Sequence, residues 1–532
     1  MASLTQRSAY PDGIVASPAR TDGPARPGSR ELAARILSFA IPVLIAVEVP
    51  GLGTIYLAEL CLIGLLPVLL VIRGKALLSG PLGFILAMGL VYFGAQVITD
   101  LIRETPFSDF ARGWSRILFM FLSFISCYLL IGGNRARILC YAGGLVVGAA
   151  LYLVTQNPLS AIGWKFGFAG PTTTLLLMSF VLVPVLRSPS SLVGPMIMVA
   201  LGVFSAFMDY RSWGGVLMVS AAFLSVPAIL RLFGLRPKPL TYGRMLVIGT
   251  LLLATAMGAL KLYGAAAESG LLGARSQEKY RTQAVLGDIG ILLGGRNESL
   301  VTVQAIMDSP LIGHGSWAKD PHYARLRQEM LYKLGFTNRF IEPENDLIPT
   351  HSHLLGAWVE AGLGGALFWF GILMMIFAAL QRLYASNDRL RPYLAFLMFL
   401  FIWDILFSPF GAQRRLTNGF LLVAMLYALR TSSMDWQRRI ARIAHYAPHH
   451  QWAITQPIAS TTTAGGYDRE PEDRLLDAVY DEFGSSHHDI ADDEHRNQIE
   501  REREPRATST DFGAGGETIR AGFRRLRRQR NR

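Results

Sequence analysis

Two histidines and a glutamate lie where a polar segment runs into a long apolar one. The stretch PTHSHLLGAWVEAGLGG contains His351, His353 and Glu360. At helical spacing His353 and Glu360 share a face, whereas His351 lies about 160° away. Histidine is the commonest general base, and a carboxylate at this depth either bonds between helices or lines a cavity. The His-Ser-His spacing suits zinc poorly, since ligands on one helix face prefer positions four apart.

Several arginines are predicted to lie at the same level as these residues. They are Arg211 in MDYRSWGG, Arg296 in GGRNES, and Arg414 and Arg415 in GAQRRLTNG. A single arginine at a membrane interface is usually an anchor, whereas several around one cavity would hold an anion. The planar guanidinium group suits phosphate oxygens. The pattern predicts an anion site beside His351.

The composition indicates a membrane protein. Of 532 residues 51% are hydrophobic, and the mean hydropathy is +0.33. Many apolar stretches are long enough to cross a hydrocarbon layer of ~30 Å. They are continuous rather than alternating, which favours helices over a barrel. The predicted fold class is an all-α, polytopic integral membrane protein.

About twelve transmembrane helices are predicted, and one long outer loop, residues 264–349, precedes the tenth. The apolar segments fall near 35–49, 55–72, 84–101, 115–132, 138–154, 172–186, 192–208, 214–233, 245–263, 354–380, 392–408 and 418–430. Within the outer loop, ESLVTVQAIMDS has apolar residues at helical spacing. We therefore expect short helices on the outer surface that cap a cavity, because long loops in compact proteins are usually functional.

Basic residues in the short loops predict the orientation. They concentrate in alternate loops, which places both termini in the cytoplasm and the outer loop on the other side. Residues 1–30 and 431–532 are polar and are predicted to be disordered cytoplasmic tails around a transmembrane domain at 31–430. The basic end RAGFRRLRRQRNR is expected to contact anionic membrane lipids and not nucleic acid.

The motifs resemble those of the O-antigen ligase and O-antigen polymerase superfamily. That family has a His followed by Asn, Ser or Gln, an acidic residue nine positions on and paired glycines. His351-Ser352, Glu360, Gly362 and Gly365 stand in that register. GGRNESLVTVQAIMDSPLIGHG is similar to the family's arginine-initiated helix and its following turn. The resemblance covers about residues 35–430.

Two stretches depart from the family pattern. Arg211 occupies the place of an arginine usually found as Ser-Arg-Gly, but DYRSWGG has Tyr before it and Ser after it. AGPTTTL, residues 169–175, replaces a stretch that often resembles Asn-Pro-Asn. These departures bear on the identity of the donor or acceptor.

The resemblance implies glycan transfer at the periplasmic face of a bacterial inner membrane. A saccharide on undecaprenyl pyrophosphate would be the donor, and a hydroxyl of lipid A–core or of another glycan the acceptor. His351 would be the catalytic base, supported by Glu360. Arg211 and Arg296, with Arg414 and Arg415 in reserve, would bind the donor pyrophosphate. Attack opposite the pyrophosphate would invert the anomeric centre, in a ligase or polymerase of lipopolysaccharide or exopolysaccharide.

No cofactor is expected. The sequence has no GxxxxGK[ST] loop and no dinucleotide fingerprint. No DxD-type acidic pair occurs in the outer loops, so arginines rather than a metal ion are expected to neutralise the leaving group.

Two alternatives are from other functional classes. Twelve helices also suit a transporter or flippase of lipid-linked saccharides, although such proteins show repeats and polar residues near the midplane. A non-catalytic partner of polysaccharide-assembly proteins is the second alternative. Polar residues grouped at the outer rim favour the transferase.

Overall fold

The computed structural model describes most of the chain up to Tyr446. The described residues are 28–49, 54–78, 80–156, 163–235, 240–271, 273–283, 298–335, 343, 345–384 and 386–446. The chain divides into two units, Met1–Tyr446 and Ala447–Arg532, and the second lies outside the described residues. Most of both predicted tails is outside them as well, so the character of the tails stays a prediction.

The first half of the described chain is a series of helices joined by short connections. They are α1 (Ser29–Val43), α2 (Leu57–Arg73), α3 (Gly80–Ile102), α4 (Phe107–Ile131), α5 (Arg135–Gln156), α6 (Ala169–Ser179), α7 (Pro184–Arg187), α8 (Val193–Phe207) and α9 (Arg211–Leu232). One small antiparallel pair, β1 (Glu48–Val49) with β2 (Ile55–Tyr56), connects α1 to α2. Within the described ranges this is the one sheet.

The second half continues with α10 (Tyr242–Glu268), α11 (Ala274–Gln283), α12 (Glu298–Asp308), α13 (Pro321–Lys333), α14 (His353–Tyr384), α15 (Arg391–Phe407) and α16 (Ala412–Tyr446). Three short helices, α11 to α13, fall within the predicted outer loop, and α12 coincides with the predicted helical stretch ESLVTVQAIMDS. The last helix runs beyond the predicted boundary at residue 430.

Six helices of the described chain are long and apolar enough to cross a membrane. They comprise residues Leu57–Leu77, Gly80–Ile102, Phe107–Ile131, Arg135–Thr155, Arg211–Leu232 and His353–Tyr384. The protein is therefore all-α and suited to spanning a membrane, as the composition predicts. Six is fewer than the predicted number of about twelve, which stays a prediction.

Apolar side chains lie on both the inside and the outside of this helical bundle. Trp369 and Phe401 are completely buried where α14 packs against α15, and α14 also packs against α3. On the outer surface Val71 and Leu90 are 89% and 73% exposed. Many such exposed side chains would be costly in water but are suited to a lipid environment.

Candidate functional site

Ser352 determines where α14 begins. Its Oγ accepts a hydrogen bond from the backbone N–H of Leu355 (3.1 Å) and donates one to the carbonyl oxygen of Ile405 (2.8 Å). A serine oxygen at this position satisfies one of the donors that the first helical turn leaves unpaired. His351 therefore lies just before the helix, ahead of the cap, rather than on the helical surface assumed from the sequence.

His353 points into the protein interior. It is 1% exposed, and its Nδ1 lies 2.6 Å from the carbonyl oxygen of Ser408. Its ring packs against Trp369 and Phe410, with centroid separations of 5.0 and 5.2 Å. The two histidines thus have different surroundings, as predicted, and His353 is part of the core.

α14 is interrupted inside the motif that carries the family resemblance. Gly362 has φ +58° and ψ −149°, a conformation that glycine alone adopts readily, and the residue before it is also non-helical. The carbonyl oxygens of Val359 and Glu360 instead accept hydrogen bonds from the N–H groups of His314 (2.7 Å) and Gly315 (3.1 Å). The outer loop therefore supplies backbone donors that α14 lacks at its break.

The segment that supplies these donors, residues 309–316, is called the docking turn here. It is held from the other side by α3. The buried carboxylate of Asp100 accepts hydrogen bonds from the N–H and the Oγ of Ser316, both at 2.6 Å. Arg103 Nε donates to the carbonyl oxygen of Gly313 at 3.0 Å. The docking turn thus connects α3 to the break in α14.

Replacing Gly362 by alanine is expected to release the docking turn. A Cβ at this position would meet the carbonyl group of Leu311, and the positive φ would be strained for alanine. Backbone strain alone should cost about 1–3 kcal/mol. The check is the midpoint of thermal unfolding of purified protein. Gly371→Ala in the same helix is the matched control, because its Cβ would be an ordinary 3.5 Å from Phe84; an equal shift in both variants would contradict this account.

Glu360 forms an ion pair with Arg116 of α4. One Oε of Glu360 accepts a hydrogen bond from a terminal guanidinium nitrogen of Arg116, and the two side chains are 12% and 13% exposed. The guanidinium carbon also lies 5.3 Å from the centre of the Phe410 ring, within cation–π range. The Nε of Arg116 is buried and has no hydrogen-bond partner in the described part of the chain. Glu360 therefore bonds between helices and also lines a cavity.

A cavity of about 640 Å³ opens between α14 and the outer loop. Its ionisable lining consists of His351, Glu360, Arg116, Glu298 and Arg327. Uncharged polar and aromatic side chains complete much of the wall, among them Trp317, Gln328, Asn345, Thr350 and Phe410. Apolar side chains, among them Leu347, Ile348 and Val359, line the rest, and this mixed lining suits a ligand of several rings that has both polar groups and apolar faces.

A second cavity, of about 160 Å³, lies between α9 and α15. Its wall combines apolar side chains, such as Leu400 and Phe407, with hydroxyl groups and the charged pair Asp404 and Arg414. His351 lines this cavity and the larger one as well. The predicted base thus lies where two cavities of different size meet.

The predicted arginines have different positions. Arg414 lines the smaller cavity and pairs with the buried carboxylate of Asp404. Arg211 begins α9 between two residues of the same wall, and its Nε lies 4.0 Å from Asp209. Arg415 is 7% exposed and forms two hydrogen bonds of 2.7 Å with Glu59. It is not among the lining residues of either cavity within the described chain, and Arg296 lies outside the described residues.

The outer-loop helices are tied to each other and to the start of α14. Thr302 Oγ1 of α12 donates to the carbonyl oxygen of Pro349 at 2.6 Å. Tyr323 of α13 donates a hydrogen bond of 2.6 Å to Asp308, which holds the pKa of that carboxyl below its usual range. The contribution of this hydrogen bond to the stability of the folded loop is present at neutral pH, and it is lost as the pH falls through the lowered pKa of Asp308. The cover of the larger cavity is thus a folded structure.

Arg116 is the site residue that the sequence did not reveal. It stands one residue inside the predicted fourth helix, 244 positions before its partner Glu360. The available signal was general: a carboxylate inside a bundle usually has a cationic partner. Several arginines at the outer rim could have met that need, so the pairing required the three-dimensional structure.

In the part of the chain that the structure describes, no group of three or more His, Cys, Asp or Glu side chains is placed to hold a metal ion. The predicted metal independence stays a prediction, because this observation concerns the described residues alone.

The fold and the two cavities define the class of protein: an all-α protein with apolar, membrane-length helices and a cavity of mixed polarity beneath a folded loop. No protein-family model, curated protein or solved structure matches the chain.

Proposed function

We propose that this protein is a membrane glycan transferase of the O-antigen ligase or polymerase type. It moves a saccharide from undecaprenyl pyrophosphate to a sugar hydroxyl, at the periplasmic face of a bacterial inner membrane. The observation that carries the proposal is the position of His351 at the junction of two cavities. A base that must act between two bound substrates requires such a position.

The smaller cavity is assigned to the donor. The apolar part of its wall suits the first isoprene unit of a polyprenyl chain, and Arg414, which is paired with Asp404, is assigned as a cation for the pyrophosphate. Arg211, whose neighbours Tyr210 and Ser212 line this cavity, is assigned as a second cation for the pyrophosphate. The larger cavity, with its amide and hydroxyl groups, is assigned to the acceptor glycan. Arg415, bound to Glu59, is assigned a structural role in this scheme.

The proposed reaction is a single displacement. The acceptor hydroxyl oxygen forms a bond to the anomeric carbon, and the bond from that carbon to the pyrophosphate oxygen breaks. His351 takes the proton of the hydroxyl group, and undecaprenyl pyrophosphate leaves with the electron pair. Arginine groups at the leaving oxygens stabilise the charge that develops there. Attack from the opposite face inverts the anomeric centre.

A transporter has less support than a transferase. Broken helices in transporters commonly expose backbone groups to a substrate or a coupling ion. In α14 the carbonyl groups of Val359 and Glu360 are instead occupied by the docking turn. The break therefore holds the outer loop in place.

The test of the function is the glycan profile of a deletion strain. A ligase predicts loss of long chains from lipid A–core, with lipid-linked polymer accumulating. A polymerase predicts single repeat units on the core. Unchanged transferred glycan would contradict both forms of the proposal, and unchanged synthesis with lost export would favour the transporter.

The orientation can be checked by cysteine labelling. In a background without Cys61, Cys127 and Cys140, a cysteine in place of Glu329 should react with an impermeant thiol reagent added from outside. One in place of Asn387 should not, because the basic loop after α14 is predicted to be cytoplasmic. Both positions are exposed, so a difference in labelling between the two cysteines would not be caused by a difference in burial. Labelling of the cysteine at position 387 alone would indicate the opposite orientation, with His351 on the cytoplasmic side.

A further inference from the structure

Trp317 is held in an unusual backbone conformation at the wall of the larger cavity. Its φ is +54°, in the left-handed region that residues other than glycine seldom adopt. Such a conformation costs free energy and persists only where the neighbouring structure enforces it. Trp317 follows the docking turn directly and is half-buried.

Both neighbours of Trp317 are anchored. Before it, Ser316 is bound by its N–H and its Oγ to Asp100, with hydrogen bonds of 2.6 Å. After it, the carbonyl oxygen of Ala318 accepts a hydrogen bond of 2.9 Å from the N–H of Ile348. These bonds fix the backbone on each side and direct a large aromatic ring to the cavity wall.

The surroundings of the ring indicate what it would contact. The guanidinium carbons of Arg112 and Arg116 lie 5.8 and 5.9 Å from the ring centre, close to the ~6 Å limit for a cation–π interaction. The same wall carries Gln328, Asn345 and Thr350, which offer hydrogen-bond donors and acceptors. An aromatic ring in a cavity that also offers amides and a hydroxyl group is complementary to a pyranose, which has C–H bonds on one face and hydroxyl groups at its edge.

We propose that Trp317 is the platform on which a sugar ring of the acceptor stacks, with Gln328, Asn345 and Thr350 binding its hydroxyl groups. This inference rests on the proposed transferase function and assigns the acceptor to the larger cavity. The platform orients the acceptor so that one hydroxyl group is presented to His351, which lines the same cavity. Trp317 is thus a specificity-determining residue that takes no part in proton transfer.

The first test measures turnover of the purified full-length protein in nanodiscs. The substrates are the lipid-linked donor and the acceptor fraction extracted from the source strain. Trp317→Ala should raise the acceptor KM roughly tenfold, the scale of losing one stacked ring, and leave the donor KM unchanged. Trp317→Phe, which keeps an aromatic face, should retain most of the affinity. Trp164→Ala is the matched control, because Trp164 packs on Phe204 and lies on neither cavity wall in the described structure.

The second test does not require turnover. The acceptor glycan, released by mild acid from the lipopolysaccharide of the source strain, is the probe in saturation-transfer NMR. Wild-type protein should transfer saturation to the sugar C–H protons, and Trp317→Ala should lose that transfer. Equal transfer in both proteins, or none in the wild type, would overturn the platform.

The two measurements separate the two proposals. Turnover with an unchanged acceptor KM in Trp317→Ala would overturn the platform and leave the transferase standing. Binding that depends on Trp317, in a wild-type protein without turnover, would support the platform as a sugar site and overturn the transferase. A rise in KM that phenylalanine does not rescue would also count against stacking.

Discussion

His351→Ala is expected to lower turnover by about 10²–10⁴-fold, the usual contribution of a positioned general base. Donor binding should survive, because the cations assigned to the pyrophosphate, Arg414 and Arg211, are unchanged. The rate constant kcat should therefore fall with little change in the donor KM. Steady-state kinetics of the purified protein in nanodiscs, with the lipid-linked donor as the varied substrate, measure both quantities.

The control for this experiment is a second histidine that lines neither cavity. From the sequence His353 would serve, since it points away from His351. Its burial changes that choice, because His353→Ala would remove a packed core side chain and destabilise the protein. His322 on α13 is exposed and is not on either wall in the described structure. Full turnover by well-folded His351→Ala would refute the assignment of the base.

Arg116→Ala is expected to destabilise the protein by about 3–5 kcal/mol, because it leaves the Glu360 carboxylate in a mostly buried position without its cation. The double variant Arg116→Ala, Glu360→Gln should recover part of that loss, since the amide carries no charge. Reversible unfolding in mixed micelles provides the free energies. Turnover should fall in both variants, because the orientation of the outer half of α14 depends on this pair.

An exposed ion pair on the outer loop provides the comparison. Lys333 and Glu329 are 3.3 Å apart, and their side chains are 72% and 49% exposed. Lys333→Ala should therefore change stability by about 0–1 kcal/mol. An equal decrease in the free energy of unfolding in Lys333→Ala and Arg116→Ala would show that burial does not increase the contribution of the Arg116–Glu360 pair to stability.

Apolar segments were predictable because their composition is a local property. The predicted segments 84–101 and 354–380 lie within α3 and α14, and the segment 115–132 lies along α4, which begins earlier, at Phe107, and ends at Ile131. The separate surroundings of His351 and His353 agree with the prediction, but the reason differs, because His351 lies ahead of the helix and not on its surface. The function, the orientation and the number of spans stay predictions.

The interior of the site was less predictable. The break at Gly362 is stabilised by bonds from His314 and Gly315, which lie far earlier in the sequence. A pair of glycines in a motif indicates that the backbone needs close packing or unusual dihedral angles at these positions. It does not indicate which segment packs against them. Likewise, Asp100 could have been an ordinary end-of-helix residue. Its role follows from Ser316, which only tertiary contact brings to it.

The break in α14 also bears on the order in which the chain is assembled during synthesis. The docking turn and α3 emerge from the ribosome before α14 does, because they precede it in the sequence. When α14 enters the bilayer, the carbonyl groups of Val359 and Glu360 have no partners of their own, and each unsatisfied group in lipid costs several kcal/mol. The hydrogen bonds that complete this helix come from the docking turn, which has been synthesised earlier. Insertion of α14 and closure of the outer loop over the cavity are therefore coupled, and the site takes its final shape late in biogenesis.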